Sequence, residues 1–339
     1  MDTRHPAGGL AAKPRRFRKF DRDHPKDQLV VVMHPGPRHD LRMDPLPHIT
    51  VLMGTRNGAA HLHQQLASLA AQDHLRWSLW ISDDGSTDAT WSHIRAFAED
   101  QPNPVVLLRG PKRGMSANYL GLLCHPDLPP GPVAFADQDD LWLPHHLTRG
   151  LTALTRSPAP PGGRIYSAHR LVLKGGQVPR ALCWRGGGDP GFRNAMVECR
   201  TPGSGLILDA GAVALARRVG VVDVPFWDWW LTLLFTGAAT EVVQDARPGL
   251  LYRAHTGNCL GPRTGLAAAL WRLNRLRDGS YRDWVCQNLA MLEPHMAQLT
   301  PPNQDILRQA LSLDPGARLR RLSAHRHWLR DRVALWLAA

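Results

Sequence analysis

Asp137, Gln138, Asp139 and Asp140 put three carboxylates into four residues, directly after the apolar run Val133 to Phe135. Like charges this close repel, and a fold holds them together only with a compensating cation or with water. If Asp137 continues an extended strand, Asp137 and Asp139 share one face, because strand side chains alternate. Two carboxylates at a strand end suit Mg2+ or Mn2+, which take oxygen ligands and keep positions open for a substrate phosphate. A solvated acidic turn is the alternative. A second acidic site shifts the balance. Asp83-Asp84-Gly85-Ser86-Thr87-Asp88 follows the strand-like run Trp77 to Ile81 and precedes a helix expected over Ala89 to Phe97. Gly85 permits the unusual backbone angles of a tight turn, and Ser86, Thr87 or Asp88 can cap the helix. Ligands of open α/β sheets sit beyond the carboxyl ends of strands. Two acidic strand ends together point to a nucleoside-diphosphate site with a metal.

The elements that must position these residues begin earlier. Ile49 to Met53 reads as a first strand that breaks at Gly54-Thr55-Arg56-Asn57-Gly58. Leu62, Leu66, Leu69 and Ala70 then recur at helical spacing, which completes a strand, loop and amphipathic helix. Val105 to Leu108 reads as a third strand, Ser116 to Leu123 as a helix, and Ile165 to Leu173 as a weakly alternating strand. From Ile49 to Thr90 the chain resembles the start of a family 2 glycosyltransferase, with its strand, T-x-N, helix and strand ending in DDGSTD. Asp137-Gln138-Asp139-Asp140-Leu141-Trp142 resembles the D-x-D motif of that family in its rhamnosyltransferase-like form. Trp227-Asp228-Trp229-Trp230-Leu231 resembles the later H-D-W-W-L, and Tyr252-Arg253-Ala254-His255 resembles Y-R-Q-H. Four motifs in the family's order cover Ile49 to Gly261.

The resemblance implies a GT-A-like fold: a Rossmann-related mixed α/β sheet flanked by helices, with a helical C-terminal extension. It implies an inverting, metal-dependent glycosyltransferase that moves a sugar from a UDP- or dTDP-linked donor to a glycan or lipid-linked acceptor. The DQDDLW and WDWWL motifs tilt the sugar towards rhamnose or another deoxysugar. Asp139 is then a direct metal ligand, and Asp137 a second ligand or a contact to the ribose. Asp83 or Asp84 accepts hydrogen bonds from the base or ribose, with Thr55 and Asn57 lining the same pocket. Asp83 as a helix-capping turn is the structural alternative. His255 reaches the metal or the diphosphate, and Arg253 offsets phosphate charge. Asp228 is the candidate general base. It sits among Trp227, Trp229 and Trp230, where partial burial favours the protonated form and makes the carboxylate more basic. An Asp that only caps a core helix is the alternative. Trp227 stands where relatives have His. Asn118 falls in the family's G-x-S-x-N-F stretch as a positional residue.

Organisation and composition bound the remainder. Residues 1–47 read as a basic, flexible leader, 48–261 as the glycosyltransferase domain and 262–339 as the helical extension. Within the domain, 48–155 form the nucleotide-binding half and 164–261 the acceptor half, separated by the Pro/Gly-rich turn Ser157 to Gly163. Gly186 to Gly191 reads as a mobile loop of the kind that closes over substrates. Five widely spaced cysteines without a CxxC pair suit a reduced, cytoplasmic setting. No apolar run reaches the roughly 18 residues of a membrane span. Of a formal charge of +12, residues 49–261 carry 19 Lys and Arg against 17 Asp and Glu, so the excess lies in the flanks. No zinc-finger spacing, RNP-like motif or sustained basic block supports nucleic acid as a partner. From Ala317 to Leu337, apolar residues alternate with arginines at helical spacing. This predicts one amphipathic helix that either contacts an anionic membrane peripherally or packs on the catalytic domain. Two other function classes fit parts of the pattern. A nucleotidyltransferase shares acidic strand ends, although Gly54 to Gly58 is a poor phosphate loop, and a non-catalytic polyanion-binding scaffold would use the basic flanks.

Overall fold

The computed structural model describes residues 31–33, 46–173, 180–181, 191–254, 265–323, 325–326 and 332. In chain order the elements are β1 (Val31–Met33), β2 (Ile49–Thr55), α1 (Ala59–Ala70), β3 (Trp77–Asp83), α2 (Thr90–Asp100), β4 (Val105–Arg109), α3 (Met115–Leu123), β5 (Val133–Ala136), β6 (Leu141–Trp142), α4 (His146–Thr155) and β7 (Arg164–Leu173). They continue with β8 (Arg180–Ala181), α5 (Phe192–Ala195), β9 (Ile207–Leu208), α6 (Ala210–Val219), α7 (Trp227–Gly237), β10 (Glu241–Arg253), α8 (Gly265–Arg277), α9 (Ser280–Leu292), α10 (Pro301–Leu311) and α11 (Pro315–Ser323).

The strands form one mixed sheet in the order β1-β4-β3-β2-β5-β9-β7-β10-β6, with β8 paired to β7 outside this path. β4, β3, β2 and β5 run parallel, and β9 joins β5 to β7 antiparallel. Because β2 lies between β3 and β5, chain progression reverses direction across the sheet at β2. Such a switch point opens a crevice at the strands' carboxyl ends. Alternation along β2 divides the core between the two faces. Leu52 joins Trp80, Phe135 and the helices α3, α6 and α7, whereas Val51 and Met53 join Leu79, Ile81 and the helices α1, α2 and α4.

Two elements depart from the sequence reading, and a third decides one of its open alternatives. The leader supplies an edge strand, since Val31–Met33 pairs antiparallel with β4. The C-terminal helices share the domain core: Leu289, Leu292, Leu307, Leu319 and Leu322 are buried in the same cluster as Trp229 and Leu233. The helix expected over 317–337 stops at Ser323, where Leu322 and Ser323 carbonyls accept turn hydrogen bonds from the His325 and Arg326 amides. In the first turn of α11, Arg318 donates to the carbonyls of Ala310, Leu311 and Leu313 and so ties α11 to the end of α10. Trp328, Leu329, Val333, Trp336 and Leu337 lie outside the described residues. Among the described residues, no helix is long and apolar enough to cross a membrane.

Candidate active site

The carboxyl ends of β2, β3 and β5 open into a cavity of about 340 Å³. Thr55, Arg56, Asp84, Tyr119, Asp137 and Asp139 line one side of it, and Arg170, Ser204, Phe226, Asp228 and Tyr252 the other. Asp84, Asp137, Asp139 and Asp228, which come from three separate parts of the chain, thus face a single space. His255 and residues 186–190 of the loop expected over Gly186 to Gly191 lie outside the described residues.

The acidic stretch is a turn rather than a strand extension. β5 ends at Ala136, which pairs with Met53, and the alternation argument for Asp137 and Asp139 therefore fails. The turn's polar groups find partners elsewhere. Arg253 donates through Nε to the Asp139 carbonyl at 3.0 Å, and its guanidinium also reaches Gln64. The Gln138 amide clamps the loop after β2: Oε1 accepts from the Arg56 N–H at 2.9 Å and Nε2 donates to the Arg56 carbonyl at 3.1 Å. Arg253 therefore braces the acidic turn and does not line the cavity.

The three carboxylates of the turn have different surroundings. Asp140 is fully buried and accepts from the Ser204 hydroxyl and from the Arg253 amide at 3.2 Å. Asp137 is half-buried, with its Oδ1 3.0 Å from the Tyr119 hydroxyl. Burial raises its carboxyl pKa, and the charges of Asp140 and Asp139 raise it further. Burial likewise raises Asp140, with Asp139 adding to it. Carboxylates crowded until protonation is favoured provide the setting in which a divalent cation replaces the proton. Among the described residues, no set of three or more His, Cys, Asp or Glu side chains is arranged to hold a metal ion. Asp137 and Asp139 nevertheless fit Mg2+ or Mn2+, because such ions bind through one or two carboxylates and complete their shell with water and substrate phosphate.

The other expected site residues divide between the cavity and its frame. Asp84 lines the cavity and accepts from the amides of Lys112 at 2.6 Å and Gly114 at 2.9 Å, which fixes the loop before α3. Asp83 lies behind the lining. Its oxygens accept from Thr55 Oγ1 at 3.1 Å, from the Ser86 amide at 2.9 Å and from the Ser86 hydroxyl at 2.5 Å. Asn57 takes a positive φ of 47° and accepts from the Thr87 amide at 2.8 Å, tying the β2 loop to the turn after β3. Asn118 exchanges hydrogen bonds with Ser82, as expected of a positional residue.

Asp228 stands in the first turn of α7. Its Oδ2 accepts from the Gly203 amide at 3.0 Å and its Oδ1 from the Trp229 amide at 2.8 Å. These bonds aim a half-buried carboxylate into the cavity. Trp227 packs beneath it, stacked on Tyr119 with ring centroids 4.5 Å apart and also 4.5 Å from Phe135. Sequence reasoning missed Tyr119, Gly203, Ser204, Arg170 and the burial of Asp140. One available signal was Tyr119, a hydroxyl-bearing ring next to Asn118.

Residues 50–168 match the family described as Glycosyl transferase family 2. The chain is 25% identical over 242 residues to the dTDP-rhamnosyl transferase RfbG of Shigella flexneri, spanning 69% of this chain and 82% of that protein. It is 31% identical over 102 residues to an uncharacterized glycosyltransferase of Nostoc sp., 30% of this chain and 31% of that one. Its fold is similar to that of S. aureus TarS 1-349, crystallised in complex with UDP-GlcNAc, with a TM-score of 0.50 and 14% identity over 86% of this chain and 90% of that chain. Residues 50–168 therefore carry a glycosyl transferase family 2 domain on a GT-A-type fold, and the protein is a glycosyltransferase.

Proposed function

We propose that the protein transfers rhamnose or another deoxysugar from a dTDP- or UDP-linked donor to a hydroxyl of a glycan or lipid-linked acceptor. The transfer inverts the anomeric centre and requires Mg2+ or Mn2+. The supporting observation is the meeting of Asp84, Asp137, Asp139 and Asp228 in one cavity at the sheet's switch point. The name of the Shigella flexneri relative supports dTDP-rhamnose as donor. A cytoplasmic setting, at the inner face of the membrane when the acceptor is lipid-linked, suits a chain that uses nucleotide-sugars.

In this reading Asp228 takes the proton of the acceptor hydroxyl. The oxygen attacks the anomeric carbon from the face opposite the leaving group. As that bond forms, the bond from the anomeric carbon to the phosphate oxygen breaks and its electron pair leaves with the nucleoside diphosphate. The amides of Gly203 and Trp229 hold Asp228 in line, which is the orientation term of catalysis. Asp84 fixes the loop that closes the nucleotide side. A divalent ion held by Asp137 and Asp139, with His255 as a further ligand, would neutralise charge on the departing diphosphate.

The test is release of nucleoside diphosphate from dTDP-rhamnose and a panel of UDP-sugars by the full chain, with Mn2+ or Mg2+ and with a chelator. The anomeric configuration of the product is read by NMR. Metal-dependent release, an inverted product and loss of turnover in Asp139→Asn are expected. A retained configuration, or undiminished activity in chelator, overturns the reading.

A further inference from the structure

Charge balance in the cavity calls for cations besides the metal. A departing nucleoside diphosphate carries roughly three negative charges near neutral pH, since its terminal phosphate alone carries about two. Asp137 and Asp139 already offset the two positive charges of a divalent ion, so most of the charge on the leaving group stays uncompensated. Arg253, the cation of the Y-R-x-H motif, is occupied at the Asp139 carbonyl and Gln64. Its neighbour Tyr252 faces the cavity instead, as alternation along β10 requires.

Among the described lining residues of the acceptor side, the cation is Arg170 on β7. β7 and β10 are parallel, and Arg170 stands opposite Leu250, diagonal to Tyr252 on the same face. Its guanidinium carbon lies 5.5 Å from the centre of the Tyr252 ring. Tyr252 is buried at 4% exposure, so the ring is a fixed backing that limits where the guanidinium can go. Arg170 is half-buried, and its charge reaches Asp140, the residue after Asp139. That puts a preoriented, partly desolvated cation beside the acidic turn. Arg56 lines the nucleotide side, so the described lining has one guanidinium from each half of the domain.

Resting on the reading of a nucleotide-sugar donor, we propose that Arg170 is a catalytic residue that grips the leaving diphosphate, with Tyr252 as the positioning residue behind it. A planar guanidinium matches two phosphate oxygens at once, which a lysine ammonium cannot do. The grip tightens as the bond from the anomeric carbon breaks and negative charge collects on the diphosphate. No proton moves in this step.

The test compares binding of dTDP and UDP with binding of dTMP and UMP to the full chain by calorimetry, with and without Mn2+. Arg170→Gln should weaken the diphosphates about 10-fold or more and leave the monophosphates within about two-fold, because a hydrogen-bonded charge is lost only at the second phosphate. Arg170→Lys should recover part of the diphosphate affinity but less of the turnover. Equal weakening of both nucleotide classes overturns the proposal, since that is what mere balancing of the acidic turn predicts. So does unchanged diphosphate binding in Arg170→Gln, or wild-type turnover in that variant. If Arg170→Gln fails to fold, the charge-conserving lysine variant decides: full wild-type turnover in it removes the bidentate role. Wild-type protein that binds neither dTDP nor UDP overturns the donor reading itself, and this assignment with it.

Discussion

Gly203→Ala tests whether the candidate base is held by packing as well as by hydrogen bonds. A Cβ on Gly203 would lie 2.2 Å from Trp227 Cζ2, 2.4 Å from Cη2 and 3.1 Å from the Asp228 Cβ. The indole cannot swing away cheaply, because it is 2% exposed and wedged against Tyr119 and Phe135. Overpacking of this kind costs about 1–3 kcal/mol. If the backbone yields instead, the 3.0 Å bond from the Gly203 amide to Asp228 Oδ2 lengthens and the carboxylate loses its aim. A misplacement of about 1 Å at such a group lowers turnover on the order of 10²-fold. Urea unfolding followed by tryptophan fluorescence reads the first effect, and initial rates of nucleoside diphosphate release read the second. Trp227→Phe, which has no atoms at the clashing positions, should restore much of the stability lost by Gly203→Ala. The double variant should therefore be more stable than the two single penalties predict when added. Wild-type stability and turnover in Gly203→Ala would refute the reasoning, as would a penalty that Trp227→Phe leaves unchanged.

Three further outcomes are expected. Asp228→Asn should lower turnover by about 10²-fold or more with donor affinity nearly unchanged; a parallel loss of donor affinity would assign Asp228 to the donor site or to the fold. His146 is fully buried, with Nε2 3.0 Å from the Gly205 carbonyl, and burial lowers its pKa from 6.5 to about 4. The unfolded chain binds this proton first as pH falls, so its contribution is whole above pH 6.5 and is lost towards pH 4. The loss between pH 7 and pH 5 is about 2 kcal/mol, and His146→Gln should remove that part of the slope in urea titrations; an unaltered slope would show that other groups carry it. Deleting residues 316–339 removes Leu319 and Leu322, 2% and 3% exposed, from the core and should give an insoluble or unfolded product. A folded, nucleotide-binding remainder would show instead that this segment is dispensable to the core.

Local signals were legible in the sequence, and pairings across the fold were not. A strand followed by Asp-Asp-Gly-Ser needs only its neighbours to make a tight turn, so β3 and its acidic end could be located from residues 77–88. The same holds for β5, whose apolar run stops at the first charge. Asp140 shows the limit. It follows Asp137 and Asp139 in the motif, yet it turns inward because Ser204 and the Arg253 amide wait there, 64 and 113 residues later. Nothing in residues 137–142 distinguishes a carboxylate facing water from one facing those donors. The C-terminal helix left two alternatives open for a related reason. Its apolar stripe has the same spacing whether it meets a membrane or α9, and the tertiary core decided in favour of the protein for Leu319 and Leu322.

Trp227, at the position where the motif it resembles has His, illustrates what such long-range contacts accomplish. The Tyr119 hydroxyl lies 3.0 Å from Asp137, and the Tyr119 ring stacks on Trp227. The edge of Trp227 fills the space where a Gly203 side chain would be, and the Gly203 amide holds Asp228. These contacts close a chain from the acidic turn on the donor side to the candidate base on the acceptor side, through side chains that are almost fully buried. An indole extends far enough to touch both Tyr119 and Gly203, whereas an imidazole is smaller and would leave one of them without support. The distance between the two carboxylates is therefore set by aromatic packing, which resists deformation far more than a surface loop does. Trp227→His should loosen that coupling. Stability would fall by the cost of a partly filled core site, about 2–4 kcal/mol, and turnover should drop while nucleotide affinity, governed by the other half of the cavity, stays close to wild type. Equal losses of affinity and turnover would show that Trp227 supports the donor side alone.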